Sequence, residues 1–129
     1  MAHFAELDKN NLVVRVCVVD NINTCDEHGE EKEEVGVKYL QSIFGENTTW
    51  KQTSYNGKFR ALYAATGFAY NEELDCFLPP KPFDSWILNK ETKSWEAPTE
   101  RPEKEGYIYF WDEKQLEWIE QEFISPLIN

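Results

Sequence analysis

Three segments of this chain share one pattern. An apolar residue and an Asn or Asp are followed by charged residues, and an aromatic residue comes seven positions after the apolar one. The copies run from Tyr70 to Phe77, from Leu88 to Trp95 and from Trp111 to Trp118, and a weaker copy runs from Leu7 to Val14. An Asx side chain hydrogen-bonds its own backbone and starts a turn. Residues flanking such a turn meet across two strands. The repeat therefore predicts a chain built from β-hairpins.

Alternating apolar patterning extends these turns into a mainly β fold of the α+β class, an antiparallel hairpin-rich small domain. We expect hairpins at about 3–19, 67–78, 85–96 and 107–119. The valine-rich run from 12 to 19 predicts a strand that is buried on both faces. Asn56-Gly57 is a strong hairpin signal after the run around Trp50, whereas 60–65 is expected to be irregular.

One amphipathic helix is expected at about 31–44. Acidic residues at its start favour the positive end of the helix dipole, and Gly45 suits the C-terminal end. The stripe expected to pack on the sheet is apolar at helical spacing, and it consists of Val35, Tyr39, Leu40, Ile43 and Phe44. Gly36 within the helix weakens this prediction by about 1 kcal/mol relative to alanine.

Proline residues divide the chain. Pro79-Pro80-Lys81-Pro82 ends strand pairing because proline has no N–H to donate, so we expect a β-rich core domain at 1–78. Residues 79–129 are then a proline-spaced arm of tryptophan-rich hairpins. Isolated two-stranded hairpins are marginal in water. The two C-terminal hairpins must therefore pair with each other, dock on the first part of the chain, or dock on another molecule.

Composition and motifs exclude several classes of function. A formal net charge of -11 opposes binding to nucleic-acid phosphates, and no apolar run reaches the ~20 residues of a membrane span. We see no signal peptide, which places synthesis in a cytoplasm. Cys17, Cys25 and Cys76 lack metal-ligand spacing and are expected to be reduced and buried. Because no catalytic motif occurs, we expect no enzyme activity, no cofactor and no metal.

The central part of the chain resembles a known family. The motifs are W-x-Q-T-S-Y-N at 50–56, R-x-x-Y-A-x-x-G-x-x-Y at 60–70 and D-x-F-x-P-P-K-P-x-x-S-W-x-L at 75–88. Together with the opening MAHFAELD, the segment from Gly36 to Gly45 and the terminal hairpins, they resemble small proteins of marine tailed phages, cyanophages especially. The resemblance covers nearly the whole chain and departs from the family at 61–62 and 64–66. It implies a virion component, present in the host cytoplasm before assembly.

The leading hypothesis is a phage virion structural protein, either a capsid decoration protein or a tail or fibre accessory subunit. Its partners would be phage structural proteins, including copies of itself. A glycan-binding module that stacks exposed tryptophans on sugar rings and an intracellular effector that binds a host protein are the alternatives. Buried tryptophans favour the structural role, whereas an exposed planar row favours sugar binding. The expected partner-binding residues are Trp86, Trp95, Trp111, Trp118, Tyr55 and Arg60.

Overall fold

Strand β1 is the centre of the N-terminal part of the protein. The computed structural model describes residues 1–123 and shows a three-stranded antiparallel sheet in the order β2-β1-β3. Its strands are β1 (Ala2–Leu7), β2 (Val13–Val19) and β3 (Thr49–Thr53). A central strand has both backbone edges paired, and its alternate side chains point to opposite faces of the sheet.

Both faces of this sheet are covered. On one face Ala2 and Phe4 pack with Trp50 and with Leu40 of helix α1 (Glu33–Phe44). On the other face Ala5 and Leu7 pack with Val13, and the residues that cover them are Ala64, Tyr70 and Phe77. The expected mainly β fold with one helix is confirmed.

Gly36 is the point of closest approach between helix and sheet. It is buried, and the Phe4 ring lies against it so closely that an added Cβ would be 2.3 Å from Phe4 Cζ. The buried helix residues are therefore Gly36 and Leu40, one turn apart. The predicted stripe was wrong at Tyr39 and Ile43, which are exposed, whereas Phe44 is partly exposed but has its ring 5.3 Å from that of Trp50 in β3. Gly36 lies on the packed face of the helix, although the sequence predicted only that this glycine would weaken the helix.

We predict that Gly36→Ala destabilises the protein by about 1–2 kcal/mol. Alanine improves helix propensity by about 1 kcal/mol, but overpacking against the fully buried Phe4 ring costs roughly 2–3 kcal/mol, the upper part of the usual range. Urea unfolding measures the difference, and Lys38→Ala on the exposed helix side is the control. Phe4→Leu should cost less in the Gly36→Ala background than in the wild type, because the smaller side chain relieves the overlap. A Gly36→Ala variant as stable as the wild type would contradict the tight contact.

Strand β2 differs from its prediction. It was expected to be buried on both faces, but Val18 is 55% exposed and Val14 is also exposed. The reason is topological, because β2 lies at the edge of the sheet and β1 occupies the centre. The apolar run predicted a strand correctly but could not reveal its place in the sheet.

The Asn56-Gly57 turn forms, yet the hairpin predicted there is wrong. Gly57 N donates to Ser54 O at 3.0 Å, so the central residues of the turn are Tyr55 and Asn56, and Gly57 follows them with a positive φ of +68°. Strand β3 pairs with β1 instead of with a strand after the turn. Segment 60–65 contains no named strand or helix, as expected, and it leads to the hairpin of β4 (Ala69–Asn71) and β5 (Cys76–Leu78).

The chain divides into two compact units, the N-terminal unit Met1–Pro80 and the C-terminal unit Lys81–Asn129. The sequence had placed this division between 78 and 79. The C-terminal unit contains two hairpins, whose strands are β6 (Ile87–Asn89), β7 (Ser94–Glu96), β8 (Tyr107–Asp112) and β9 (Glu117–Glu122). No residue between 81 and 123 is fully buried, so this stretch contains no hydrophobic core of the usual kind.

The repeated tip motif forms the turns predicted for it. Asn89 Oδ1 accepts hydrogen bonds from the N–H groups two and three residues on, at 2.9 and 3.1 Å, and Asp112 Oδ1 does the same at 3.0 and 3.1 Å. The residue seven positions after the apolar one pairs with it across the strands. The pairs are Tyr70 with Phe77, Leu88 with Trp95 and Trp111 with Trp118.

Each of these three tips places a non-glycine residue four positions after the Asx in the left-handed region. These residues are Asp75, Lys93 and Leu116, with φ between 48° and 58°. Leu116 is the least suited of them, because a branched side chain without a local hydrogen-bonding group disfavours positive φ.

We predict that Leu116→Asn stabilises the C-terminal unit by roughly 0.5–1 kcal/mol, because Asn tolerates this conformation better. The readout is the denaturation curve followed by tryptophan fluorescence. The control is Gln115→Asn, since Gln115 is not among the positive-φ residues of the same turn. Equal stability of Leu116→Asn and the wild type would show that the turn stores no strain.

Two further expectations concern cysteines and membranes. All three cysteines are free thiols, but only Cys76 is buried, and the expectation of burial was wrong for the half-buried Cys17 and Cys25. Cys17 belongs to the edge strand β2, which explains its partial exposure. Within residues 1–123, no helix has the length and apolar character needed to span a membrane.

Candidate functional site

Three tryptophans that the sequence singled out come together in the C-terminal unit. Trp111 and Trp118 face each other across the β8–β9 hairpin with ring centroids 5.2 Å apart, and Trp86 lies 6.2 Å from each of them. Phe83 extends the group, with its ring 5.5 Å from Trp86. We call these four residues the aromatic cluster. Edge-to-face pairs of this kind contribute roughly 0.5–1.5 kcal/mol each beyond area burial.

A carboxylate fixes one edge of the aromatic cluster. Glu113 Oε1 accepts hydrogen bonds from Trp111 Nε1 at 2.8 Å and from Ser85 Oγ at 2.7 Å, and its other oxygen accepts from Ser85 N at 3.0 Å. The bond from Trp111 is the main reason why the pKa of Glu113 lies below its usual range. Glu113 thus ties the start of the first hairpin to the tip of the second.

The opposite edge of the aromatic cluster borders a cavity of about 630 Å³ between Trp86, Trp118 and the segment that follows β7. Trp118 Nε1 donates to Thr99 O at 2.8 Å and so holds this segment against β9. Cavities of several hundred Å³ are the size that accommodates small ligands or single side chains.

The rings of the aromatic cluster do not form a planar row. Interplanar angles are 83° for Trp86 with Trp111, 60° for Trp86 with Trp118 and 69° for Trp111 with Trp118. All three rings are half-buried. A flat platform that stacks several sugar rings in succession needs parallel exposed faces. The observed arrangement is that of a small structural core.

Among the four predicted C-terminal tryptophans, Trp95 is the one that lies outside the aromatic cluster. It is opposite Leu88 in the β6–β7 hairpin, and Lys81 Nζ lies 5.8 Å from its ring centroid. Its role therefore differs from that of the other three C-terminal tryptophans.

The side chain of Arg60 is largely enclosed within the N-terminal unit, where it borders a shallow surface depression together with Glu33 and Asp75. Its side chain is only 14% exposed, and its guanidinium bonds both carboxylate oxygens of Glu33, at the start of helix α1. Nε also donates to Asp75 Oδ1 at 2.8 Å, and one terminal nitrogen donates to Gln52 O at 2.9 Å. Arg60 thus connects the helix, strand β3 and the β4–β5 turn.

Two carboxylates and a phenol around Arg60 have shifted pKa values. Burial alone would raise the pKa of Glu33, but hydrogen bonds from Arg60 and from Gln52 N–H outweigh it and hold the pKa below its usual range. A hydrogen bond from Tyr70 is the main reason why the pKa of Asp75 is lowered. Burial, followed by that same bond, raises the pKa of Tyr70 to about 12. These groups satisfy one another, which suits a structural link.

We predict that Arg60→Met costs about 2 kcal/mol of unfolding free energy at pH 7, because two carboxylates lose their charged partner. The lowered pKa values of Glu33 and Asp75 mean that their contribution is full above about pH 4.5 and is lost as the pH falls through the lowered values. The difference between wild type and variant should therefore shrink from pH 7 to about pH 3.

Urea unfolding at several pH values checks this prediction. The control is Lys32→Met, which removes an exposed ion pair to Glu30 and should change stability by less than about 0.5 kcal/mol. A cost of Arg60→Met that stays constant over the whole pH range would contradict the role of the two carboxylates.

Tyr55 is the only predicted partner-binding residue with a freely exposed side chain, at 68%. Its ring lies 5.5 Å from that of His3, which in turn meets the edge of Tyr63 at 5.6 Å. The structure thus places Tyr55 and Arg60 in the N-terminal unit at different degrees of exposure. It brings together only Trp86, Trp111 and Trp118 of the predicted set.

Sequence reasoning missed the residues that position the predicted ones. Glu113 and Asp75 belong to the tip motif, so the repeat itself could have drawn attention to them. Glu33 had no such signal, because it is one of several acidic residues before the helix and is separated from Arg60 by 27 positions. Within residues 1–123, no group of three or more His, Cys, Asp or Glu side chains is arranged to hold a metal ion.

No protein-family profile, no curated protein and no solved structure matches the chain.

Proposed function

We propose that this protein is a non-enzymatic assembly subunit whose C-terminal unit docks on a partner protein. The observation that carries the proposal is the exposed face of hairpin β8–β9. Phe110 is 52% exposed and its cross-strand partner Ile119 is 41% exposed. Two apolar side chains that are exposed side by side on one strand face offer a partner a small hydrophobic contact.

The two faces of this hairpin have different roles. Trp111 and Trp118 share one face, where the aromatic cluster occupies them. Side chains alternate along a strand, so Phe110 and Ile119 share the opposite face with Ile108. We call these three residues the apolar face. Asp112 and Glu117 pair on this same face at its turn end.

The chemistry of the apolar face indicates the chemistry of its partner. Covering the exposed halves of Phe110 and Ile119 removes on the order of 150 Å² from water, which at about 25 cal/mol per Å² is worth roughly 4 kcal/mol. That is a weak single contact, and repeated copies in a large assembly multiply it. The carboxylates at the rim and the net charge of -11 favour a partner surface with lysine or arginine beside apolar side chains.

The assembly that we propose is the particle of a tailed phage. The resemblance to marine phage proteins supports this setting, and the acidic hairpin unit suits a decoration or accessory subunit. The inclined, half-buried rings of the aromatic cluster favour this function over a glycan platform, because they present no planar row.

We predict that Phe110→Ser combined with Ile119→Thr lowers incorporation into phage particles by about tenfold or more, because the apolar contact is lost. Particles are purified from cells infected with phage that encode the variant, and copies of the chain per particle are counted by quantitative mass spectrometry. The thermal midpoint should fall by only a few degrees, because the lost cross-strand pair contributes about 0.2–1 kcal/mol and the outer halves of both side chains are exposed.

The matched control is Ile22→Ser, which changes an 84% exposed apolar residue in the N-terminal unit and should leave incorporation unchanged. Absence of the wild-type chain from purified particles would overturn the phage setting. Equal incorporation of the double variant and the wild type would show that another surface makes the contact.

A further inference from the structure

The cavity beside the aromatic cluster has a mixed lining that points to a class of ligand. Its lining residues include two tryptophans, Trp86 and Trp118, two acidic residues, Glu96 and Glu100, and one basic residue, Arg101. Glu96 is held in place by a hydrogen bond of 2.9 Å from Asn89 Nδ2. The charged lining thus carries two negative groups and one positive group, within a chain whose net charge is -11.

The aromatic faces of the C-terminal unit already attract cations of the same chain. The Arg101 guanidinium lies over the Trp118 ring at 6.0 Å from its centroid. Lys104 Nζ lies 4.2 Å from the centroid of Tyr107, and Lys81 Nζ approaches Trp95 in the same way. A cation over a ring face is attracted by the negative face of the π-system, and tryptophan is the best host.

We propose that this cavity binds an organic ammonium group, and that its natural occupant is a lysine side chain of the assembly partner. The incoming ammonium meets two indoles and two carboxylates, and it displaces Arg101, which occupies the Trp118 face in the free protein. Identification of the occupant as a partner's lysine rests on the proposed assembly function. The proposal that the cavity binds an ammonium group does not depend on the assembly function and is argued from the cavity itself.

The role of Arg101 separates this inference from a sugar site of the same size. A neutral sugar would use the guanidinium as a hydrogen-bond donor, so losing Arg101 would weaken its binding. An ammonium ion is repelled by the guanidinium and competes with it for the Trp118 face. Losing Arg101 therefore strengthens ammonium binding.

The first experiment titrates the full-length protein with choline while the tryptophan indole N–H signals are followed by NMR. Choline is compared with 3,3-dimethylbutan-1-ol, which has the same shape without the charge, and with glucose. We expect the signals of Trp86 and Trp118 to shift with choline, and choline to bind roughly fivefold or more tightly than the neutral alcohol. Equal binding of the alcohol, or tighter binding of glucose, would overturn the inference.

Variants then test the charged lining. Glu100→Gln should weaken choline binding about threefold to tenfold, whereas Arg101→Gln should strengthen it. Glu103→Gln is the matched control, because Glu103 lies close in sequence but does not line this cavity. Weaker choline binding in Arg101→Gln, or an equal effect of Glu103→Gln and Glu100→Gln, would contradict the proposed site.

The last measurement identifies the source of the ammonium group. N-acetyl-lysine-N′-methylamide should shift the same indole signals as choline, and Glu100→Gln should lower incorporation into particles. If choline binds but Glu100→Gln incorporates like the wild type, the lysine assignment is wrong and a free ammonium compound is the ligand. If choline binding is intact but the wild-type chain is absent from particles, the assembly function fails while the ammonium site stands.

Discussion

The N-terminal unit depends on the burial of strand β1 from both sides. Phe4 reaches the helix across Gly36, while Ala5 on the next position faces the β4–β5 hairpin. A strand covered on both faces fixes its neighbours, because its backbone edges need β2 and β3 and its side chains need the two covering layers. Arg60 also links helix α1, strand β3 and the β4–β5 turn through hydrogen bonds from its charged guanidinium.

The C-terminal unit is stabilised mainly by interactions within its hairpins and between their aromatic side chains. Its turns are built by Asn89 and Asp112, and its three clustered tryptophans replace a conventional core. Such a unit satisfies its backbone within each hairpin but leaves apolar residues such as Phe110 in solvent. Surface of this kind is costly for a protein that remains alone in solution. We connect it with the proposed docking role, in which weak contacts are repeated over many copies.

Both proposed contact surfaces carry acidic residues. The apolar face carries Asp112 and Glu117 at its rim, and the cavity carries Glu96 and Glu100. Both surfaces belong to a chain with a net charge of -11, so both favour a basic partner. Aromatic rings that already hold Arg101 and the lysines of the same unit extend this preference to short range.

The sequence by itself determined three hairpins and their register, because an Asx turn and its cross-strand pair are set within eight residues, whereas the weaker copy pairs Leu7 with Val13 across an irregularity in the ladder. Trp111 and Trp118 could therefore be paired without a structure. Only the tertiary structure decided that β2 lies at a sheet edge, that Gly36 receives Phe4, and that Arg60 is enclosed by carboxylates. These relations join residues far apart in the chain. Local patterning does not encode them, because they depend on which elements compete for the same strand edge and the same face.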